Sequence, residues 1–484
     1  MHESLRNKTI SGTFWSATDA FLGQGVTFLV GIVLARLLSP TEYGLIGIAL
    51  IFTVVLSGIV DSGFSTALIR KKDATDTDYN TMFITNMVMS LLLFVVLYFA
   101  SPLISVFFNR PELTSVTRAM GLILIFQALS ITQVTILTKK IDFKTKTKAS
   151  LISAVISGVV GVTMAFMGYG VWALVGQKLS NTLLYSICLW FLNRWWPNGS
   201  FSRKSFSYMW GFGWKLMLSG LLENTWNQLY QVVVGKFYSP ASLGQYSRSK
   251  EYATIVSAQF TSIIQRVTYP VLSEVQDDQD RMVSAYRRII KMTMFVIVLL
   301  MISLGAVAEP FIYCLIGPKW HEAATYLPLI CLSMSLYPLH AINLNMLKVL
   351  GRSDIYLEIE IIKKIISIVP ICLGIFVSIY WMLIGTIVTG IIAFFLNSYY
   401  TGKHLGYSSF MQIKDITPSY SLAIIIACPI FFLKYLPCSY WIVLPVQILL
   451  GIVLFLAICE YKRIEEYLEL KEIIKGVSNK FNRK

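Results

Sequence analysis

Long apolar stretches separated by short polar segments run along most of the chain. A helix needs about 20 residues to cross the roughly 30 Å hydrocarbon layer of a bilayer. Fourteen stretches qualify, at 12–35, 43–66, 82–107, 116–138, 149–168, 171–193, 208–234, 248–270, 289–315, 324–347, 361–379, 381–401, 417–436 and 440–459. The turns at 168–171 and 379–381 are the shortest. The pattern predicts an all-α polytopic membrane protein with about 14 transmembrane helices. Composition agrees, since 55% of the 484 residues are hydrophobic and 14% charged, more apolar surface than a soluble interior can hide. The first stretch is too long for a signal-peptide core and carries Asp19, so it reads as a retained helix.

One segment occurs twice, 200 residues apart. Ala35-Arg36-Leu37-Leu38-Ser39-Pro40 followed by Gly44 returns as Gly235-Lys236-Phe237-Tyr238-Ser239-Pro240 followed by Gly244. Each copy leaves one long apolar helix and enters another. Proline removes a backbone donor and glycine tolerates any φ, so the segment spells a helix end, a tight turn and a restart. Two such turns predict two related six-helix halves, 1–193 and 208–401, running parallel in the membrane, as in many secondary transporters. A cytoplasmic linker at 194–207 carries Trp195 and Trp196 at its start. Residues 402–459 read as an added two-helix hairpin and 460–484 as a cytoplasmic tail. In that tail Tyr461, Ile464, Leu468 and Ile474 are spaced for an amphipathic helix on the inner leaflet, or the segment is simply solvated.

The net charge of +15 would suggest nucleic acid in a soluble protein. Here its distribution points to topology instead. With the N-terminus inside, the inside segments hold runs such as Arg70-Lys71-Lys72, Lys139 to Lys148 and Lys462 to Lys484, 30 cations against about nine outside. That asymmetry puts both termini in the cytoplasm. The seven cysteines are scattered without pairing and the four histidines make no metal spacing, so no metal and no cofactor are expected. The loops are too short for a soluble catalytic domain, so no enzyme activity is expected.

Polar residues inside the spans cost about 2.5–3.5 kcal/mol each when charged at mid-membrane, and should face a cavity or a partner. The seventh span is richest. Asn224, Asn227 and Gln231 share one face, flanked by Glu223, Gln228 and Tyr230. The eighth carries Arg248, Tyr252, Gln259, Ser262 and Arg266 on one face, with Glu251 at its edge. Arginine's planar fork suits phosphate oxygens, and a structural Arg–Glu pair between helices is the competing reading. The first span places Ser16, Ala20, Gly23, Gln24, Thr27 and Gly31 together, with Asp19 beside them, and the second aligns Ser57, Asp61 and Ser65. Asp19, Asp61 and Glu223 are candidate ion-coupling carboxylates, or partners for a cation such as Lys178. Pro270 and Pro370 are candidate kinks.

Four segments carry a family resemblance. Leu34-Ala-Arg-Leu-Leu-Ser-Pro-Thr-Glu-Tyr-Gly44 and Val234-Gly-Lys-Phe-Tyr-Ser-Pro-Ala-Ser-Leu-Gly-Gln-Tyr246 are the two turns. Tyr269-Pro-Val-Leu-Ser273 and Asn343-Leu-Asn-Met-Leu-Lys-Val-Leu-Gly-Arg-Ser-Asp354 follow in order. The chain resembles polysaccharide flippases of the Wzx type, in the multidrug/oligosaccharidyl-lipid/polysaccharide exporter superfamily. It is similar to the subgroup exporting lipopolysaccharide or capsular repeat units. The resemblance implies translocation of an undecaprenyl-pyrophosphate-linked oligosaccharide by alternating access across the bacterial inner membrane, for O-antigen or capsule synthesis. It implies membrane lipids, a polysaccharide polymerase and chain-length proteins as partners, and no nucleic acid. The family pattern places an Asp near Tyr230, which this chain lacks; Glu223 is its nearest substitute. Rival readings are a multidrug exporter, a peptidoglycan-precursor exporter, and an integral polysaccharide polymerase or ligase.

Overall fold

The repeated segment shows how its residues direct the chain. Helix α1 (Gln24–Leu37) ends at Leu38, and Ser39 caps the next helix, α2 (Pro40–Asp61). The Ser39 hydroxyl accepts from the Glu42 amide, and the Glu42 carboxylate accepts from the Ser39 amide, a reciprocal capping box with Pro40 in the first turn. The second copy repeats the device: α8 (Arg203–Phe237) ends at Tyr238, the Ser239 hydroxyl accepts from the Ser242 amide, and α9 (Pro240–Glu274) begins. In both copies two residues separate a helix end from a capped start.

The computed structural model describes residues 22–275 and 278–481, and all regular structure in them is helical. Asp19 lies outside the described residues, as do the side chains of Gln259 and Arg266. The protein is an all-α, multi-pass membrane protein. Among the described residues nine helical segments are long and apolar enough to cross a bilayer. The helices at 171–193, 203–237 and 240–274 have the length but are more polar. Every predicted stretch falls on helix, with the first described only from residue 22.

The chain divides into two compact units, residues 1–247 and 248–484. In the first, α2 continues through a break into α3 (Phe64–Arg70), followed by α4 (Asp76–Phe108), α5 (Leu113–Lys139), α6 (Phe143–Phe166) and α7 (Val171–Asn193). Helices α4 and α5 pack together, α7 packs on both α5 and α6, and α8 lies against α2, α3 and α4. This packing is why α8 belongs to the first unit, although the expected second half begins at residue 208. Hydrogen bonds tie α7 to α5: Ser186 donates to the Phe126 carbonyl at 2.6 Å, Trp190 to the Leu129 carbonyl at 2.8 Å, and Asn193 to the Gln133 side chain at 2.6 Å. Such bonds orient apolar helices that have little hydrophobic reason to prefer one neighbour in lipid.

The second unit holds α10 (Gln279–Ala306), α11 (Ala308–Ile316), α12 (His321–Ser335), α13 (Tyr337–Val349), α14 (Ser353–Ile366), α15 (Ile368–Phe376), α16 (Ile379–Leu405), α17 (Ser409–Phe432), α18 (Tyr440–Lys462) and α19 (Glu465–Phe481). Its core gathers Met282, Tyr286, Ile290, Met294, Leu339, Ile342, Met346 and Phe394 from α10, α13 and α16. The predicted span at 361–379 is two helices parted at Ser367, three residues before Pro370.

The tail differs from its expected form. Tyr461 is 89% exposed, while Ile464, Tyr467 and Leu470 pack against the cluster around Phe295 and Ile430. Arg463, at φ 47°, ends α18 in the left-handed region, so the helical phase counted from Tyr461 does not continue into α19. The side chain of Ile474 lies outside the described residues.

Candidate translocation site

A carboxylate sits where the second apolar span breaks. Asp61 ends α2, and Ser62 and Gly63 follow with φ of 49° and 70°, both left-handed. Gly63 is required there twice over: its φ favours glycine, and a Cβ would lie 2.7 Å from the Gly213 carbonyl oxygen of α8. The break lets Asp61 reach forward to the first turn of α3. Its Oδ1 accepts from the Ser65 hydroxyl at 2.5 Å and from the Ser65 amide at 3.3 Å. The Ser65 oxygen in turn accepts from the Thr135 hydroxyl of α5 at 2.9 Å. Among the described residues no lysine or arginine pairs with Asp61, so Lys178 is not its counter-ion. Interrupted helices inside the membrane are where secondary transporters place polar groups, because non-helical backbone there must line a cavity or be covered by protein.

The polar stripe on α8 is present as its spacing predicts. Asn227 is exposed, and its side-chain amide donates to the Glu223 carboxylate at 3.3 Å. Gln231 donates to Gln228 at 2.8 Å, and both are half-buried. Asn224 faces α2 at Gly58, where an added Cβ would stand 2.9 Å from its amide nitrogen. The stripe therefore offers amides and one carboxylate to whatever lies beside α8, with its upper member held against α2.

The other sequence-derived candidates are placed differently. Gln24 is exposed on α1. Arg248 is only 7% exposed and its guanidinium lies 2.9 Å from the Glu251 carboxylate. The pair is an i, i+3 contact within α9, not the pair between helices that the sequence offered as the competing reading. Tyr252 is 3% exposed and packs edge-on against Phe311, with ring centroids 5.7 Å apart.

Two constellations escaped the sequence reading. The two repeated turns touch each other: a Cβ on Gly44 would lie 1.7 Å from the Pro240 carbonyl oxygen, and one on Gly244 would lie 2.0 Å from that of Pro40. The motif's glycine and its proline thus meet reciprocally across the repeat. In the second unit, Asn343 is fully buried and its side-chain oxygen accepts from Tyr286 at 2.7 Å, Thr401 at 2.9 Å and Gln412 at 3.1 Å. Beside it, Arg287 makes a forked pair with Asp415, which also accepts from the Tyr407 hydroxyl at 2.7 Å. Apart from Tyr407, eight positions before Asp415, these partners lie 57 to 128 positions apart, beyond any local spacing rule.

Residues 33–325 match the family described as polysaccharide biosynthesis protein. The chain belongs to that family. Among curated relatives it is 24% identical over 376 residues to the succinoglycan biosynthesis transport protein ExoT of Rhizobium meliloti (strain 1021), covering 77% of this chain and 76% of the relative. It is 25% identical over 358 residues to the teichuronic acid biosynthesis protein TuaB of Bacillus subtilis (strain 168), covering 73% of each. Its fold is similar to that of the lipid II flippase MurJ in an inward closed conformation, with a TM-score of 0.72 and 16% identity over 94% of this chain and 99% of that one. Membership makes the chain a polysaccharide biosynthesis protein, and its fold is that of a solved flippase. Within this family frame, the broken second span and the α8 stripe are candidate parts of a transport route.

Proposed function

We propose that the protein is a flippase that moves a prenyl-pyrophosphate-linked oligosaccharide repeat unit from the inner to the outer leaflet of the bacterial cytoplasmic membrane. Undecaprenyl pyrophosphate is the carrier this reading names, and O-antigen or capsule repeat units the cargo. The observation that carries it is the polar Asn224–Asn227–Gln231 stripe, exposed at Asn227 and half-buried at its two ends, on a 35-residue helix in a chain of the polysaccharide biosynthesis family. A glycan is a dense array of hydroxyls, and amides and carboxylates replace water around hydroxyls with little reorganisation. The lipid tail stays in the bilayer, so only the polar head needs such a route.

Alternating access by two parallel six-helix repeats, 1–193 and 208–401, is the mechanism this reading adopts, with 14 spans and both termini cytoplasmic. Asp61, held by Ser65 at a helix break, is the better placed coupling carboxylate. Glu223, hydrogen-bonded to Asn227, lies within the cargo stripe.

Deleting the gene for this chain tests the assignment. Lipid-linked oligosaccharide of full repeat length should accumulate on the inner leaflet while its assembly enzymes stay active. Accumulation of lipid II instead would favour the peptidoglycan-precursor reading, and no accumulated intermediate would oppose both.

A further inference from the structure

The first unit also holds a cavity that neither Asp61 nor the α8 stripe uses. It measures about 330 Å³ and is lined chiefly by Arg70, Lys71, Lys72, Asp73, Tyr208 and Phe212. Sequence alone reads Arg70-Lys71-Lys72 only as an inside-facing charge run. The fold gives the run a shape. Helix α3 stops after Arg70, and Lys71 turns into extended backbone, so the three cations are spread across the cavity rather than round a helix. The Lys139 ammonium donates to the carbonyls of Leu68 and Lys71 and fixes this turn.

The cations are not equivalent. Lys71 is bound to Asp78 at 2.7 Å, with its ammonium 5.2 Å from the centre of the Tyr208 ring. Arg70 lies 5.2 Å over the Phe212 ring, and among the described residues neither it nor Lys72 has a carboxylate within ion-pair distance. The cavity therefore offers two uncompensated cations, two aromatic walls and the Asp73 carboxylate. A guanidinium already seated on a ring keeps outward-facing donors for a phosphate. Each ring has one face covered by its cation, and the remaining surface of Tyr208, which is 46% exposed, suits the slightly positive C–H face of a sugar ring. Asp73 accepts from hydroxyls but repels a bare phosphate. Free phosphate leaves the aromatic walls unused, and an anionic phospholipid meets Asp73 as a like charge.

We infer that this cavity is a docking site for a glycosyl phosphate, the sugar–phosphate junction of the lipid-linked precursor, loaded before translocation begins. The inference rests on the flippase reading above and adds a site to it. Binding is measured with the full chain in phosphatidylcholine nanodiscs, using radiolabelled undecaprenyl-pyrophosphate-linked N-acetylglucosamine and, separately, labelled phosphatidylglycerol. Arg70→Gln should weaken glycolipid binding about tenfold, the loss of a charged hydrogen-bond donor pair, and Arg70→Lys should keep part of it. Asp73→Asn should weaken glycolipid binding while strengthening that of phosphatidylglycerol. Both positions are exposed, and unchanged thermal melting and gel-filtration profiles identify variants that remain folded. Equal glycolipid affinity for the native chain and Arg70→Gln overturns the site and leaves the flippase reading standing. Tighter binding of both lipids by Asp73→Asn overturns the sugar component and makes the cavity an anionic-lipid site. Failure of the native chain to bind the glycolipid at all removes the flippase reading and this site with it.

Discussion

Gly44 and Gly244 are the residues that the fold leaves least free. Each lies against the proline carbonyl of the other copy, closer than any side chain permits. Gly44→Val should therefore push α2 and α9 apart at their capped ends, costing about 1–3 kcal/mol, the usual penalty for overpacking. Gly25, with nothing within 4 Å of its would-be Cβ, is the control. Thermal unfolding in detergent should show a drop of several degrees for Gly44→Val and no loss for Gly25→Ala; equal behaviour of the two would dissolve the reciprocal contact. The Asp61 carboxylate makes a separate claim. Asp61→Asn keeps an acceptor for Ser65 but no charge, so it should retain cargo binding and lose acceleration by a proton or sodium gradient in proteoliposomes. Full gradient response in that variant would reduce Asp61 to a structural cap of α3. Much at this scale was legible. The i, i+3, i+7 spacing of Asn224, Asn227 and Gln231 is a helical rule that operates inside one element, whereas Asp61 and Ser65, aligned by the same count, meet across the left-handed break at Ser62 and Gly63. Thr135, which completes the Asp61 chain 70 residues after Ser65, follows no such rule.

At the scale of elements, the C-terminal helix shows where sequence pattern stops short. The apolar positions of the tail left an amphipathic helix and a solvated segment both open; the segment is helical and Ile464 packs, but Tyr461 falls outside that face because one left-handed residue, Arg463, resets the phase. The face that packs is braced by charge: Arg288 pairs with Glu469 and Lys291 lies 3.5 Å from Glu466. Arg288 is 68% exposed, so this pair contributes in the range of about 0.2–1 kcal/mol and is screened by salt. Hydrogen exchange over residues 465–475 should rise by up to about fivefold in Glu469→Lys, and the combined Arg288→Glu, Glu469→Lys chain should recover much of the protection. Exchange unchanged in the single variant would mean that Ile464, Tyr467 and Leu470 hold α19 alone. The helix breaks divide in the same way. The Ser-Pro restarts were readable because capping chemistry is local, and Pro370 announced the parting at Ser367. The interruption at Ser62–Gly63 was not readable, since neither residue is a strong breaker by itself and α8 supplies the Gly213 carbonyl that makes the glycine necessary.

For the whole molecule, hydropathy alone gave a polytopic helical membrane protein, because a bilayer admits few other architectures. The family followed from ordered motifs at the repeated turns and after α13. What hydropathy cannot rank is polarity inside a span: α8 and α9 carry the most interior polar groups and are the longest helices, and both fall outside the nine apolar segments. The same polarity that weakens their signal as spans is what suits them to a hydrophilic cargo. The central claim is that this chain turns over a lipid-linked glycan between leaflets. The most direct measurement reconstitutes the full chain in vesicles loaded with fluorescent undecaprenyl-pyrophosphate-linked oligosaccharide and follows its exposure to a membrane-impermeant sugar-oxidising or quenching reagent. Exposure should rise well above that of protein-free vesicles, while a fluorescent phosphatidylglycerol in the same membrane stays in its leaflet. No acceleration for the glycan, or equal acceleration for both lipids, would contradict the account.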